Sequence, residues 1–198
     1  MNRIAIGCGV LALVLGLFAV LTVGGIYNSL VDLDEGVTSA WAQVENVYQR
    51  RADLVPNLVA TVKGAADFER ETLESVVEAR SKVGQTNFEG VPSAEQLGQF
   101  QAQQDALSSA LSRLLVVVER YPELKATEAF RDLQVQLEGT ENRIAVERRR
   151  FNEVARDYNA AVRKFPAVMV ARMMGFEQKP YFEADSDADQ APVVDFGD

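Results

Sequence analysis

The sequence predicts an all-α protein in which an N-terminal transmembrane helix continues into an antiparallel four-helix bundle. Three observations carry that expectation. Ile4 to Ile26 is a run of 23 residues without a charge, with Thr22 as its one hydroxyl. Beyond it, apolar residues recur at three- and four-residue intervals, the period of one helix face. No stretch shows the two-residue alternation of a half-buried strand.

As a helix the apolar run rises about 35 Å, enough to cross a hydrocarbon layer of about 30 Å with some tilt. It is longer than the core of a cleaved secretory signal and ends in Gly24-Gly25-Ile26-Tyr27, so a retained anchor is expected. Ile6-Gly7-Cys8 resembles part of a lipoprotein cleavage box, but the apolar core lies on its wrong side. Residues 1–3 read as a cytoplasmic stub. Arg3 precedes the span, Asp32, Asp34 and Glu35 follow it, and no Lys or Arg appears until Arg50. The positive-inside rule therefore places the N-terminus in the cytoplasm and the soluble domain outside.

Composition excludes several function classes. The formal net charge is −9, but Glu183, Asp185, Asp187, Asp189, Asp195 and Asp198 supply six of those charges at the C-terminal end. A near-neutral body with an acidic tail lacks the basic face that nucleic-acid binding needs. The chain has no histidine, which removes Ser-His-Asp and Cys-His chemistry, H-E-x-x-H zinc sites and the Glu-x-x-His motif of di-iron bundles. Its one cysteine, Cys8, lies in the span. Carboxylate sites for hard cations survive this filter, but no loop has the D-x-[DN]-x-[DN]-G pattern. No metal or cofactor is expected.

In chain order, Leu30, Val37 and Val44 form one heptad column and Leu33, Ala40 and Val47 a second, with Trp41 and Tyr48 beside them. No breaker separates this helix from the span. At Arg51-Ala52-Asp53-Leu54-Val55-Pro56 two readings compete. Either Pro56 kinks a continuous helix, or Asp53 caps a new helix with Pro56 in its first turn, where a missing N–H costs nothing. The second is preferred, because it folds the chain back to bury both stripes, and Arg50-Arg51 would then complement the dipole at the end of helix one. Helix two would carry Val55, Leu58, Val59, Val62, Ala65, Ala66, Leu73, Val76 and Val83, ending in the Gly- and Pro-rich residues 84–92.

Ser93-Ala94-Glu95-Gln96 matches a capping box for helix three, whose stripe runs Leu97, Phe100, Gln104, Leu107, Leu111, Leu114, Val118, Tyr121 with Gln104 as the one polar member. Tyr121 to Lys125 breaks the pattern and Thr127 caps helix four, with Phe130, Leu137, Ile144, Phe151, Tyr158 and Phe165 seven apart. Phe165-Pro166 ends it. A short amphipathic piece, Ala167 to Met174, stops at Gly175. Phe176, Tyr181 and Phe182 are expected to staple the end down, and 184–198 to be an acidic, disordered tail. The domain organisation is thus stub 1–3, span 4–26, bundle 27–183 and tail 184–198.

Several of these segments carry a resemblance. Ala40-Trp41-Ala42-Gln43-Val44-Glu45, Arg50-Arg51-Ala52-Asp53-Leu54-Val55-Pro56-Asn57-Leu58-Val59, Tyr121-Pro122-Glu123-Leu124-Lys125-Ala126, Thr140-Glu141-Asn142-Arg143-Ile144-Ala145, Tyr158-Asn159, Phe165-Pro166 and Gly175-Phe176 are similar to the LemA family of bacterial membrane proteins. The similarity extends from Tyr27 nearly to the end. It implies one N-terminal span, a helical bundle and residence in the bacterial inner membrane, with the soluble domain periplasmic on the charge reading above. It offers no established enzymatic activity and no catalytic residues to carry over. The chain departs from the family's pattern in Asp32, Asp34 and Glu35, where many relatives carry basic residues, and in Glu147 and Phe151.

No residue pair is placed for acid–base work, so an enzyme is not expected. Arg148-Arg149-Arg150 reads first as a solvated helix face with Arg143–Glu147 and Arg149–Glu153 pairs four apart, and second as a docking point for an anionic partner through Arg149 and Arg150. Trp41 and Tyr48 read as packing. Gln104 and Glu69 read as register-setting or partly exposed positions rather than as a crevice lining. In Pro192-Val193-Val194-Asp195-Phe196, Val194 and Phe196 suit addition of a strand to a partner's sheet edge, weighed against an unselected terminus. The expected function is a membrane-anchored scaffold whose partners are the lipid bilayer and other membrane or envelope proteins. The alternative is a sensor or ligand-binding bundle that hands a signal to a partner membrane protein.

Overall fold

The structure, a computed structural model, describes residues 2–64, 69–85, 88 and 90–183, without the side chains of 2–6, 8 and 12. Among them there is no strand. The elements are α1 (Asn2–Lys63), α2 (Arg70–Val83), α3 (Ala94–Val118), α4 (Pro122–Lys125), α5 (Glu128–Arg163) and α6 (Ala167–Met174). The expected disordered tail at 184–198 lies outside the described residues, as do Ala65 and Ala66.

α1 is one helix of 62 residues, about 93 Å long. Its first part is apolar and bare, long enough to cross a membrane with none of its apolar window buried in protein. The same helix then enters the core, burying Leu30, Val37, Trp41, Val44 and Tyr48 and, further on, Val55, Leu58 and Val62.

The preferred turn at Asp53 is therefore absent, and the other reading of Pro56 is the one the fold takes. Asp53 caps nothing, and its carboxylate instead accepts from Gln49 Nε2 one turn back at 2.8 Å. Pro56 sits inside the helix on its solvent face. A proline leaves the carbonyl four residues earlier without its helical donor. That carbonyl, on Ala52, accepts instead from Arg80 Nε of α2 at 3.0 Å, so the helix tolerates the ring and gains a tie to its neighbour. Val55, Leu58, Val59 and Val62 belong to α1, while Leu73, Val76 and Val83 belong to a shorter α2.

The remaining boundaries follow their local signals. Ser93 Oγ accepts from Gln96 N–H while Ser93 N–H donates to Gln96 Oε1, a complete capping box. Thr127 Oγ1 caps α5 by accepting from Phe130 N–H. α5 and α6 meet at a cis Phe165–Pro166 bond. Gly175, at φ 79°, closes α6 in the left-handed conformation that glycine adopts without strain, and Phe176 N–H returns to the Ala171 carbonyl.

Contacts fix the topology. Arg80 meets Ala52, Glu69 meets Arg120, and Arg51 meets Gln104, Ser108 and Glu141. Hence α1, α2, α3 and α5 run up, down, up and down from the membrane end, the expected antiparallel bundle. It is four helices deep in its distal half alone. Near the span α1 and α5 stand as a pair, covered by α6, the start of α3 and an extended segment at 176–183.

Candidate functional site

The core falls into two apolar clusters. The membrane-proximal one gathers Trp41, Phe100, Phe151, Tyr158 and Phe182, the distal one Leu58, Val76, Leu107, Leu114 and Phe130, each with their neighbours. Between them lies a polar layer centred on Arg51, whose side chain is 2% exposed. Nη1 donates to Ser108 Oγ at 2.7 Å and Glu141 Oε1 at 2.6 Å. Nη2 donates to the Gln104 carbonyl at 3.2 Å and to Gln104 Oε1 at 2.5 Å. The guanidinium also lies 5.2 Å from the Tyr48 ring centroid, while among the described residues its Nε–H has no acceptor.

Three helices thus meet on one cation. The expectation that Arg51 would complement a helix terminus is overturned, since the helix runs on and carries the residue inward. Gln104, the polar member of the α3 stripe, is its partner. Glu141 is 47% exposed, so the ion pair is sealed at one end and wet at the other. Burial pushes the Tyr48 hydroxyl up from its usual range, with Arg148 and Arg51 drawing it back. Burial likewise raises the Glu45 carboxyl.

Trp41 is wrapped by Phe88, Phe100, Phe151 and Phe182 at centroid distances of 5.5–6.0 Å, with the Phe182 ring stacked on it. Tyr48 meets Phe100 edge-on at 4.9 Å. These rings pack against one another, as expected, and leave Trp41 and Tyr48 buried.

A second feature is the strap at 176–183, which lies along α5. Asn159 donates to the Lys179 carbonyl and accepts Lys179 N–H, both at 2.8 Å. Asn152 does the same for Phe182 at 3.0 and 2.9 Å. Seven helical residues rise about 10.5 Å and three extended ones about 10 Å, so the two clamps match in pitch. Arg148 adds a bond to the Glu183 carbonyl at 2.9 Å and lies over the Phe182 ring at 5.0 Å. Lys179 pairs with Asp34 of α1 at 2.7 Å and lies 5.4 Å from the Tyr158 ring centroid. Burial, with Asp34 adding to it, holds the Tyr158 hydroxyl up to about 12. Of the three expected staples, Phe182 is buried and Phe176 rests on Tyr27, but Tyr181 is largely exposed.

Among the residues singled out from sequence, Arg148 is a strap clamp rather than part of a solvated face. Arg149 lines a shallow cleft of about 420 Å³ with Asn152, Glu153, Arg156 and Tyr181. Arg150 pairs with Glu147 at 3.9 Å, in place of the expected Arg143–Glu147 pair. Val194 and Phe196 lie outside the described residues. Glu69 is far from Gln104, at the distal tip, where Arg120 binds it at 2.6 Å and holds its carboxyl below the usual range. A larger cleft of about 730 Å³ opens there between Thr61, Arg120, Tyr121, Leu124 and Thr127. Among the described residues no three acidic, histidine or cysteine side chains gather to hold a metal ion. Sequence reasoning missed Arg51, Asn152 and Asn159.

Comparison with known proteins agrees with this architecture. Residues 40–196 match the model of the LemA family. Magnetosome protein MamQ 2 of Paramagnetospirillum magneticum and magnetosome protein MamQ of Magnetospirillum gryphiswaldense are each 26% identical over 85% of this chain and 68% of their own length. Protein LemA of Metamycoplasma hominis is 24% identical over 85% of this chain and 77% of its own. None of these names is an enzyme's. Given a helical bundle on a long apolar helix and a family match over most of its length, the chain is a membrane-associated member of the LemA family.

Proposed function

We propose that this protein is a non-catalytic scaffold of the bacterial inner membrane, its bundle held upright on the periplasmic side and its C-terminal tail offered to other envelope proteins. The observation that carries the reading is the unbroken α1, which makes the span and the central helix of the core one rigid rod. The strap adds to it. Arg148 holds the tail's root near Trp41, about 22 Å along α1 from the end of the apolar run. The family match continues to residue 196, through the tail and through Val194 and Phe196. Arg149, which lines the cleft beside Tyr181 of the strap, and Arg150, exposed on the same turn of α5, would meet an anionic part of the same partner.

Proximity crosslinking in the native membrane tests the reading, comparing the full chain, a chain lacking residues 184–198 and a chain with a Gly-Ser insertion at Asn28. Loss of crosslinked partners from the tail deletion, and altered ones from the insertion, are expected. An unchanged partner set in both would refute it. Cysteines engineered at 185, labelled by an impermeant reagent from outside, report the orientation.

A further inference from the structure

We propose that the corner between α5 and α6 is a second membrane contact: a basic, methionine-rich platform that rests on anionic lipid headgroups beside the span. The inference rests on the reading of residues 4–26 as that span. Residues 163–176 contain Arg163, Lys164 and Arg172 and no acid. All three cations are exposed, and so are Phe165 at 80%, Met169 at 65% and Met173 at 68%. Phe165, Met169 and Met173 follow one another four apart, on the side of the corner opposite Val170 and Ala171, which pack into the proximal core. In a soluble domain such a face lacks a reason. Here its height supplies one.

Lys164, Ala161 and Ala167 line a cleft of about 450 Å³ together with Leu21, Thr22, Gly25, Ile26, Ser29 and Leu30 of α1. The corner therefore sits level with the last turns of the apolar run, where a spanning helix leaves the hydrocarbon. Tyr27 faces Phe176 at 5.8 Å at the same level, an aromatic pair at the place where interfacial rings collect. A short amphipathic helix with cations around an apolar face, held in that plane, has the chemistry of an interfacial segment. Each cation near an anionic surface strengthens attachment about fivefold, so three give on the order of a hundredfold. The occupant is thus lipid, continuous with the lipid around the span, rather than a second protein.

The full chain carries the test, with Cys8→Ser and a single environment-sensitive fluorophore on a cysteine at Met173, Val116 or Val14. It is reconstituted in phosphatidylcholine vesicles with and without phosphatidylglycerol, containing shallow or deep nitroxide lipids. The probe at 173 should be blue-shifted and quenched by shallow nitroxides at least threefold more than the probe at 116, on the distal part of α3. Arg163→Glu, Lys164→Glu and Arg172→Glu together should bring it down to the level at 116 in anionic vesicles, with helical content unchanged. No quenching at 173 while deep nitroxides quench at 14 overturns the platform and leaves the span standing. No quenching at 14 overturns the span and the platform with it. A blue shift at 173 that grows with protein density but ignores lipid nitroxides assigns the face to a second copy and overturns the proposal.

Discussion

Replacing Arg51 by methionine keeps most of the side chain's volume and removes its four hydrogen bonds. Gln104 Oε1, on a residue 2% exposed, then loses its donor, and a buried polar group left unpaired costs about 1–3 kcal/mol. Breaking a fully buried ion pair costs about 3–5 kcal/mol. Glu141 is half in water and can rehydrate, so its share falls well below that range. The single substitution should destabilise by about 2–4 kcal/mol, or about 4–16 °C in Tm for a domain of this size. Adding Gln104→Leu removes the orphan and joins the two apolar clusters. The double variant should return to within about 1 kcal/mol of the parent or exceed it, as buried ion pairs replaced by apolar groups often do. Unfolding of the full chain in detergent, followed by helical circular dichroism and by the emission of Trp41, its one tryptophan, measures both. A single variant that costs under 1 kcal/mol, or a double variant no better than the single, would show that Arg51 is not buried on Gln104.

Three further outcomes follow from the geometry. In a double-mutant cycle, Arg80→Ala should cost about 1 kcal/mol beside Pro56 and clearly less beside Pro56→Ala, where residue 56 regains the N–H that satisfies the Ala52 carbonyl; equal costs would break the link. Asn152→Ala or Asn159→Ala removes two bonds to the strap, worth about 1–3 kcal/mol locally, so amide exchange at Phe182 or Lys179 should accelerate by about 5- to 150-fold while exchange at Leu107 is unchanged. Between pH about 10, the unfolded tyrosine value, and about 12, the folded chain keeps a Tyr158 proton that the unfolded chain has lost. Stability is therefore full below pH 10 and falls as pH rises towards 12; Tyr158→Phe should flatten that fall and remove one late component from the ultraviolet titration of the five tyrosines.

The long apolar helix at the N-terminus, the helix caps and the long stripe of α5 were legible because each depends on residues close together in sequence. Ser93 and Gln96 close a box within one turn, and Gly175 ends a helix by itself. The turn at Asp53 was misread because a proline was weighed locally, against its own missing N–H. The signal against a turn was phase: the column Leu30, Val37, Val44 continues without a slip to Arg51 and Leu58, and the column Trp41, Tyr48 continues to Val55 and Val62. Following the columns through Pro56 would have shown the continuous helix and placed Arg51 on its buried face in one step. The donor that makes Pro56 tolerable, Arg80, is 28 residues from the Ala52 carbonyl it satisfies, and no spacing announces it. The asparagine clamps were illegible for the same reason. Asn152 and Asn159 recur at seven, but their partners are backbone atoms of an irregular segment.

The buried arginine answers a problem that heptad packing creates. Columns of apolar residues seven apart, such as Phe130, Leu137, Ile144 and Phe151 on α5, offer nearly the same surface after a slip of one heptad, so burial alone sets register weakly. Arg51 removes the degeneracy, because its acceptors stand on two other helices at one height. Shifted by seven residues along α3, it would face Leu97 or Leu111 in place of Gln104, and a buried cation without acceptors costs several kcal/mol. Register in turn sets what the membrane end looks like. If α5 slipped by one heptad, Asn152 and Asn159 would leave the strap, Lys179 would leave Asp34, and the α5–α6 corner would move about 10 Å along α1, off the last turns of the apolar run. A charge buried at mid-height thus fixes the relation between the domain and its span.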